Sequence, residues 1–310
     1  MKVYRFLDDL PRFRNPVLTI GTFDGVHEGH QQIIGRINAM AREMDGESIL
    51  LTFHPHPRLV LNPNDTSLQL INTLQEKIDL LDHYGIHEMI IATFSKAFAQ
   101  TSPRDYIKHF LVDKIQPKVI VIGYDHHFGK DRGGNIETLR QYAGAFGYRV
   151  EEIEKHIVED VGVSSTKIRE AISAGQITQA NHLLGHPFRL TGRVIKGHQI
   201  GNQLGYPTAN LFVEDKHKII PGVGIYASRV RVGEQWYKGM LYIGYRPTFS
   251  GKEKAIEVNL FDFNGNLYGD ELTLDIVAEI RGDKRFDTPE ELAAQMAADK
   301  EATLRILDQG

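Results

Sequence analysis

At 310 residues the chain is long enough for two domains, each with its own hydrophobic core. Its 41% hydrophobic and 25% charged residues are those of an ordinary globular protein, and a net charge of −4 excludes any general attraction to nucleic acid or to an anionic membrane. No cysteine occurs, which excludes disulfides, thiolate nucleophiles and Cys-based zinc sites.

The N-terminal stretch is too charged for a secretory signal and no apolar run reaches membrane-spanning length, so a cytoplasmic protein is expected. From residue 17 to about 154, short apolar runs alternate with helical periods. Strands are expected at 17–20, 48–53, 88–93, 118–122 and 149–154, and helices at 31–44, 74–84, 103–112 and 136–146. Ser102 before Pro103 reads as an N-cap followed by a first helical residue, and Gly85 reads as a C-cap. This alternation predicts a parallel sheet covered by helices on both faces, with ligands outside the carboxyl ends of the strands.

The stretch between the first strand and the first helix is Gly21-Thr22-Phe23-Asp24-Gly25-Val26-His27-Glu28-Gly29-His30. A glycine-rich strand-to-helix turn aims backbone N–H groups and the positive end of a helix dipole at whatever lies above it. His27 and His30 are three apart, so both imidazoles reach the same space. Two ring donors at a helix start suit a polyphosphate whose charge grows as an anhydride breaks. No carboxylate-rich set surrounds them, which argues for phosphate rather than metal. The spacing resembles the HxGH nucleotidyltransferases. It is unlike the Walker loop, because no Gly-Lys-Ser/Thr follows.

Three more loops fall at strand ends. His54-Pro55-His56-Pro57-Arg58 is stiffened by two prolines and reads equally as a rigid turn or a ligand contact. Residues 123–134 combine four glycines with aromatic and cationic side chains, as a mobile lid over a planar anion would. Ser164-Ser165-Thr166-Lys167-Ile168-Arg169 offers three hydroxyls and two cations at a helix start, a second anion cradle.

Taken in order, these pieces resemble the adenylyltransferase half of prokaryotic bifunctional FAD synthetase. That resemblance implies a Rossmann-like nucleotidyltransferase sheet that binds ATP with Mg²⁺, the FMN phosphate attacking the α-phosphorus as pyrophosphate leaves. It also implies that His27 and His30 stabilise the transferring phosphates. Gly21, Phe23, Asp24 and Gly29 would line the nucleotide turn, Ser165, Thr166 and Arg169 would hold the triphosphate, and Asp125 and Phe128 would contact flavin. His126 departs from the family, which usually has an aromatic there.

Helices at 168–173 and 177–184 lead to Gly185-His186-Pro187, where helical periods give way to short alternating strands, so the domain boundary is placed there, as 1–184 and 185–310. Strands are expected at 188–195, 223–232, 235–243, 255–261 and 271–280, and a final helix at 289–307 with Thr288 as N-cap. Closely spaced antiparallel strands favour a small barrel. The final helix reads as a structural cover with Leu292, Met296, the Lys300 stem, Leu304 and Leu307 on one side. Three glycines in 196–206 lead into Pro207-Thr208-Ala209-Asn210, where a hydroxyl and an amide oxygen are hard ligands suited to Mg²⁺. Glu257 lies mid-strand, ordinarily a solvent-facing position, and Arg281 to Phe286 follow a strand as a charged turn or a flap.

In order, these stretches resemble riboflavin kinase. The resemblance implies a six-stranded barrel in which Thr208 and Asn210 position Mg²⁺ and ATP, and Glu257 is the general base for the ribityl hydroxyl. Gly201 and Gly205 would cover the phosphates, and Arg281 and Phe286 would form the flavin flap. Asn259 and Tyr242 depart from the usual His and Asn. The expected fold is thus α/β plus β-barrel, and the expected function is phosphorylation of riboflavin to FMN followed by adenylylation to FAD. The substrates are ATP, riboflavin and FMN, and apo-flavoproteins receive the product. Two alternatives stay open at this point: an adenylyltransferase with an inactive, flavin-sensing barrel, and a nucleotidyltransferase for another phosphorylated acceptor.

Overall fold

The computed structural model describes residues 1–65, 67–123, 126–153, 163–196, 207–248 and 251–309, without the side chains of 246–248 and 251–253. Two compact units are present, Met1–Gln69 with Thr73–Ser164, and Leu70–Asn72 with Ser165–Gly310.

In the first unit, β1 (Lys2–Tyr4), β2 (Val17–Ile20), β3 (Ser48–His54), β4 (Glu88–Thr93), β5 (Val119–Gly123) and β6 (Arg149–Ile153) form one parallel sheet. Their order is β1-β4-β3-β2-β5-β6. Four of these strands, β2 to β5, are legible as apolar runs, since a sheet covered on both faces needs apolar side chains at every position, and the strand expected at 149–154 is the edge strand β6, Arg-Val-Glu-Glu-Ile. Consecutive residues sort to opposite faces. Val17, Leu50, Met89 and Val119 pack with Ile34, Ile37, Met40 and Ala41 of the helix Glu28–Glu43. Leu18, Ile49, Ile90 and Ile120 pack on the other side with Tyr106, Ile107, Phe110, Leu111 and Leu139. The edge strand β1 was not expected; Lys-Val-Tyr is too short and too polar to carry a pattern. The helix expected at 103–112 runs as Pro103–Asp105, a wide π-helical stretch Tyr106–Val112, and Asp113–Ile115, ending on left-handed Gln116.

The strand order reverses at β2. Its successors β3 and β4 lie to one side, while β5 and β6 lie to the other. A ligand crevice therefore belongs at the carboxyl ends of β2 and β5, where the turn Gly21–His30 and the loop after Gly123 begin.

The second unit is a closed antiparallel barrel of β7 (Phe188–Ile195), β8 (Ala209–Phe212), β9 (Gly224–Val232), β10 (Gln235–Thr248), β11 (Gly251–Leu260) and β12 (Glu271–Arg281). Closure leaves no edge strand. Five strands match the expected runs; β8 is the sixth, hidden in the sequence because it has only four residues, Ala-Asn-Leu-Phe, the first two of which end the Pro-Thr-Ala-Asn motif. The helices Ser165–Ser173 and Ile177–Leu184 pack in this unit. The Asn181 amide donates to the Ile276 and Val277 carbonyls (both 2.9 Å), and its oxygen accepts from the Phe188 N–H at 2.7 Å. The change of period at Gly185 thus marks the end of helix rather than the end of contact with the barrel.

Leu70–Asn72 also belongs to this unit. Leu70 exchanges backbone hydrogen bonds with His217 and Ile219 (2.6 and 2.9 Å). Lys218, only 2% exposed, donates to the carbonyls of Ile71 and Arg189 (both 2.6 Å) and lies 4.4 Å from the Phe188 ring centroid. Lys218→Met keeps the stem and orphans two buried carbonyls, while relieving the burial of a charge. We expect a net loss of about 1–3 kcal/mol, read as a lower denaturation midpoint for the second unit.

Candidate functional sites

The turn after β2 is strained. Phe23 and Val26 hold left-handed backbone at φ 47° and 43°, and Gly25 sits at φ 92°, where only glycine is at ease. A β-branched residue such as Val26 adopts that conformation only when its surroundings enforce it. Gln31 Nε2 donates to the Val26 carbonyl at 2.8 Å, and Lys77 Nζ donates to the Thr22 carbonyl at 2.6 Å. His27 is the N-cap of the helix Glu28–Glu43 but makes no side-chain cap bond to it. Its ring stacks on His30, with centroids 3.7 Å apart and 18° between planes, and Phe23 lies 4.7 Å from His30 on a tilt. Phe23, Asp24, Val26, His27 and Gly29 are buried, while Gly21, Thr22, Glu28 and His30 are partly open.

Burial holds the His30 imidazole well below the usual histidine range, and the like charges of His27 and Lys77 push it further down. The His30 ring therefore meets an anion as a neutral N–H donor first. Burial also lowers the Lys77 ammonium, partly offset by Asp24. Lys77 escaped the sequence reading. Its signal was available, since Leu74, Lys77, Leu81 and Tyr84 form one helical stripe on which a charge is out of place.

Asp125 lies outside the described residues. Phe128 is 7% exposed, turned onto Tyr106 at 4.9 Å, and paired with Gly134 by two backbone hydrogen bonds. A Cβ at Gly134 would sit 2.5 Å from that ring, so glycine is required there. His56 caps the short helix Pro57–Leu61, accepting from the Arg58 N–H at 3.2 Å. Ser165, Thr166 and Arg169 open the first helix of the second unit, where Thr166 is exposed and the other two are half-buried.

In the barrel, Thr208 donates its hydroxyl to Glu257 at 3.1 Å. Asn210 pairs with Glu257 in the β8–β11 register, and Tyr242 faces Glu257 from β10. Alternation puts Thr208, Asn210, Glu257 and Asn259 on one face of these strands, while Leu211, Ile256 and Val258 take the other. Asn259 is 5% exposed and donates to the Pro207 carbonyl at 2.7 Å, tying down the residue before Thr208. Gly201 and Gly205 lie outside the described residues. A cleft of about 320 Å³ opens beside Thr208, bounded by Val194, Pro207, Leu260 and Tyr268.

Arg281 is held by the final helix, Pro289–Asp308. Its guanidinium makes a forked pair with Asp299 (2.7–3.1 Å), which is 2% exposed and also accepts from Gln295 at 2.9 Å. Phe286 lies 5.8 Å from the same guanidinium. Arg281→Met would strand a buried carboxylate at a cost of about 3–5 kcal/mol. Adding Asp299→Leu should restore most of it, and a denaturation cycle on the four chains measures this coupling.

Sequence comparison adds to this geometry. A family described as FAD synthetase matches residues 10–167, and one described as riboflavin kinase matches residues 184–307. A bifunctional riboflavin kinase/FMN adenylyltransferase of Bacillus subtilis (strain 168) is 35% identical over 293 residues, 93% of this chain and 92% of that protein. One from Escherichia coli (strain K12) is 33% identical over 285 residues, 92% of this chain and 90% of that protein. A crystal structure described as a macrolide-efflux protein from Streptococcus pneumoniae superposes with a TM-score of 0.86 at 32% identity, over 97% of both chains. No helix among the described residues is long and apolar enough to cross a membrane. With two family matches in succession and relatives covered almost end to end, the chain belongs to the bacterial bifunctional riboflavin kinase/FMN adenylyltransferases.

Proposed function

We infer that the turn Gly21–His30 and the Thr208–Glu257 pair are the chemical centres of a chain that phosphorylates riboflavin to FMN and adenylylates FMN to FAD. Residues 1–184 are assigned to adenylyl transfer and 185–310 to the kinase, in keeping with the family matches at 10–167 and 184–307.

At the first centre, the imidazoles of His27 and His30 and the start of a 16-residue helix face the phosphates of ATP. Gly21, Phe23, Asp24 and Gly29 shape the turn. An oxygen of the FMN phosphate bonds to the α-phosphorus as the bond to the β-phosphate oxygen breaks. The attacking group is already an anion, so positioning carries the step. Asp125 and Phe128 belong to the flavin side.

At the second centre, the ribityl hydroxyl oxygen bonds to the γ-phosphorus as the bond to the bridging β-phosphate oxygen breaks and ADP leaves, and an alcohol is a poor nucleophile until its proton is removed. Glu257 takes that proton, and the Thr208 hydroxyl holds its carboxylate in place. The donor set fits Mg²⁺: Thr208 and Asn210 offer hard oxygens on one face beside a carboxylate. Among the described residues no cluster of three acidic or histidine side chains could hold a metal unaided, so ATP phosphates would complete the shell. Bound there, Mg²⁺ would neutralise phosphate charge. Gly201 and Gly205 cover the phosphates, and Arg281 and Phe286 flank the flavin. The FAD passes to apo-flavoproteins in the cytoplasm.

The observation that carries this reading is the Thr208–Glu257 contact beside Asn210, because a barrel kept only to sense flavin needs no base held ready. Incubation with riboflavin, ATP and Mg²⁺ should yield FMN and then FAD on separation. A chelator should stop phosphorylation. Absence of FMN in the complete mixture would overturn the kinase reading and favour the sensing barrel.

A further inference from the structure

We propose that Lys77 is a positioning residue for adenylyl transfer, its buried ammonium clamping the Thr22 carbonyl and so fixing the bend that stacks Phe23, His30 and His27. The proposal rests on the assignment of that reaction to the Gly21–His30 turn.

Four observations carry it. Lys77 is 8% exposed, and its single hydrogen bond among the described residues goes to Thr22. Thr22 immediately precedes the left-handed Phe23, so the clamp acts where the strand turns away from the sheet. The side chain comes from a separate, well-fixed element, the helix Leu74–His83, which starts with a full capping box between Thr73 and Glu76. Finally, an ammonium has three N–H donors and this one spends only one of them within the fold.

A structural role alone does not account for that chemistry. Burying an ammonium is costly, and a neutral glutamine or serine would satisfy one carbonyl without the cost. Lys218 makes the contrast, since its ammonium meets two carbonyls and an aromatic face. At Lys77 most of the charge stays unspent beneath a turn that meets polyphosphate. The same charge bears on His30 together with His27, while the charge of Asp24 acts on Lys77 in the opposite direction. Lys77 thus also helps keep the His30 ring neutral until an anion arrives.

The test uses the full chain with Lys77→Met and Lys77→Gln, assayed for FAD formation from FMN and ATP. The riboflavin kinase rate of the same preparations serves as the check on integrity. Lys77→Met should lower kcat for FAD formation by about 100-fold, the scale of one lost preorganised donor, with a smaller change in KM. Lys77→Gln restores a donor to Thr22 and should recover part of that loss. In both variants the His30 ring, followed by NMR, should titrate at higher pH than in the parent. FAD formation within about twofold of the parent in Lys77→Met, equal inactivity of both variants, or an unmoved His30 titration would each overturn the proposal. His30→Ala separates the two levels of the argument. If it leaves FAD formation intact, the reading of the turn fails. If it abolishes FAD formation while Lys77→Met does not, only the role of Lys77 fails.

Discussion

Glu257→Gln should lower riboflavin phosphorylation by about 10²–10⁴-fold, the range that a positioned general base contributes. FAD formation from supplied FMN should continue at the parent rate. The substitution is nearly isosteric, and the amide oxygen of glutamine still accepts from the Thr208 hydroxyl, so the β8–β11 pairing survives. What is lost is the ability to take a proton. A purely structural Glu257 predicts a different result, because Glu257 is only half-buried and one partner hydroxyl would keep its bond. Phosphorylation within about threefold of the parent would remove Glu257 from the mechanism. Thr208→Val is the complementary change, since it keeps the shape and deletes the hydroxyl; it should raise the Mg²⁺ requirement as well as slow turnover.

Why was so much of this fold readable? The first unit is a doubly covered parallel sheet, and such strands must be apolar at every position, which is the plainest signal a sequence gives. Val17–Ile20 and Val119–Gly123 are examples. What escaped was short or chemically occupied. Strand β1 has three residues at an edge, and β8 has four, the first two of which end the Pro-Thr-Ala-Asn motif. The Asp299 row of the final helix also escaped. An apolar stripe was expected, and Leu292, Met296, Lys300 and Leu304 are indeed half-buried, yet Asp299 and Thr303 lie deeper. A buried carboxylate looks like a surface residue until its partner is known, and Arg281 lies 18 residues away at the end of β12.

The sites divide along the same line. Motif residues announced themselves because glycines, imidazoles and hydroxyls cluster in sequence when a loop must meet a ligand. The supporting residues did not, because they act from other elements. Lys77 reaches the turn across 55 positions and Asn259 reaches Pro207 across 52. Asn259 had registered only as a departure from a family pattern. Its amide holds the backbone next to Thr208, a role that spacing along the chain does not reveal.

His30→Ala should stop the pathway at FMN. Loss of one preorganised donor to the breaking anhydride is worth about 10²–10³-fold in turnover, and the kinase rate should be untouched. The pH dependence separates this from a packing effect. In the folded chain His30 is held below its ordinary value by burial, then by His27 and Lys77. The unfolded chain binds a proton there below about pH 6.5, while the folded chain does not. Stability from this ring is therefore complete above that pH and is lost as pH falls from there toward the folded value. The parent should accordingly melt at progressively lower temperature below about pH 6.5, and His30→Ala should flatten part of that decline. Bound ATP works in the opposite direction, because phosphate charge favours the imidazolium and raises its proton affinity. Proton uptake on ATP binding near pH 6, present in the parent and reduced in the variant, would tie the ring to the phosphates directly. A variant that keeps both full FAD formation and the parent's proton uptake would leave the stacked imidazoles with a packing role alone.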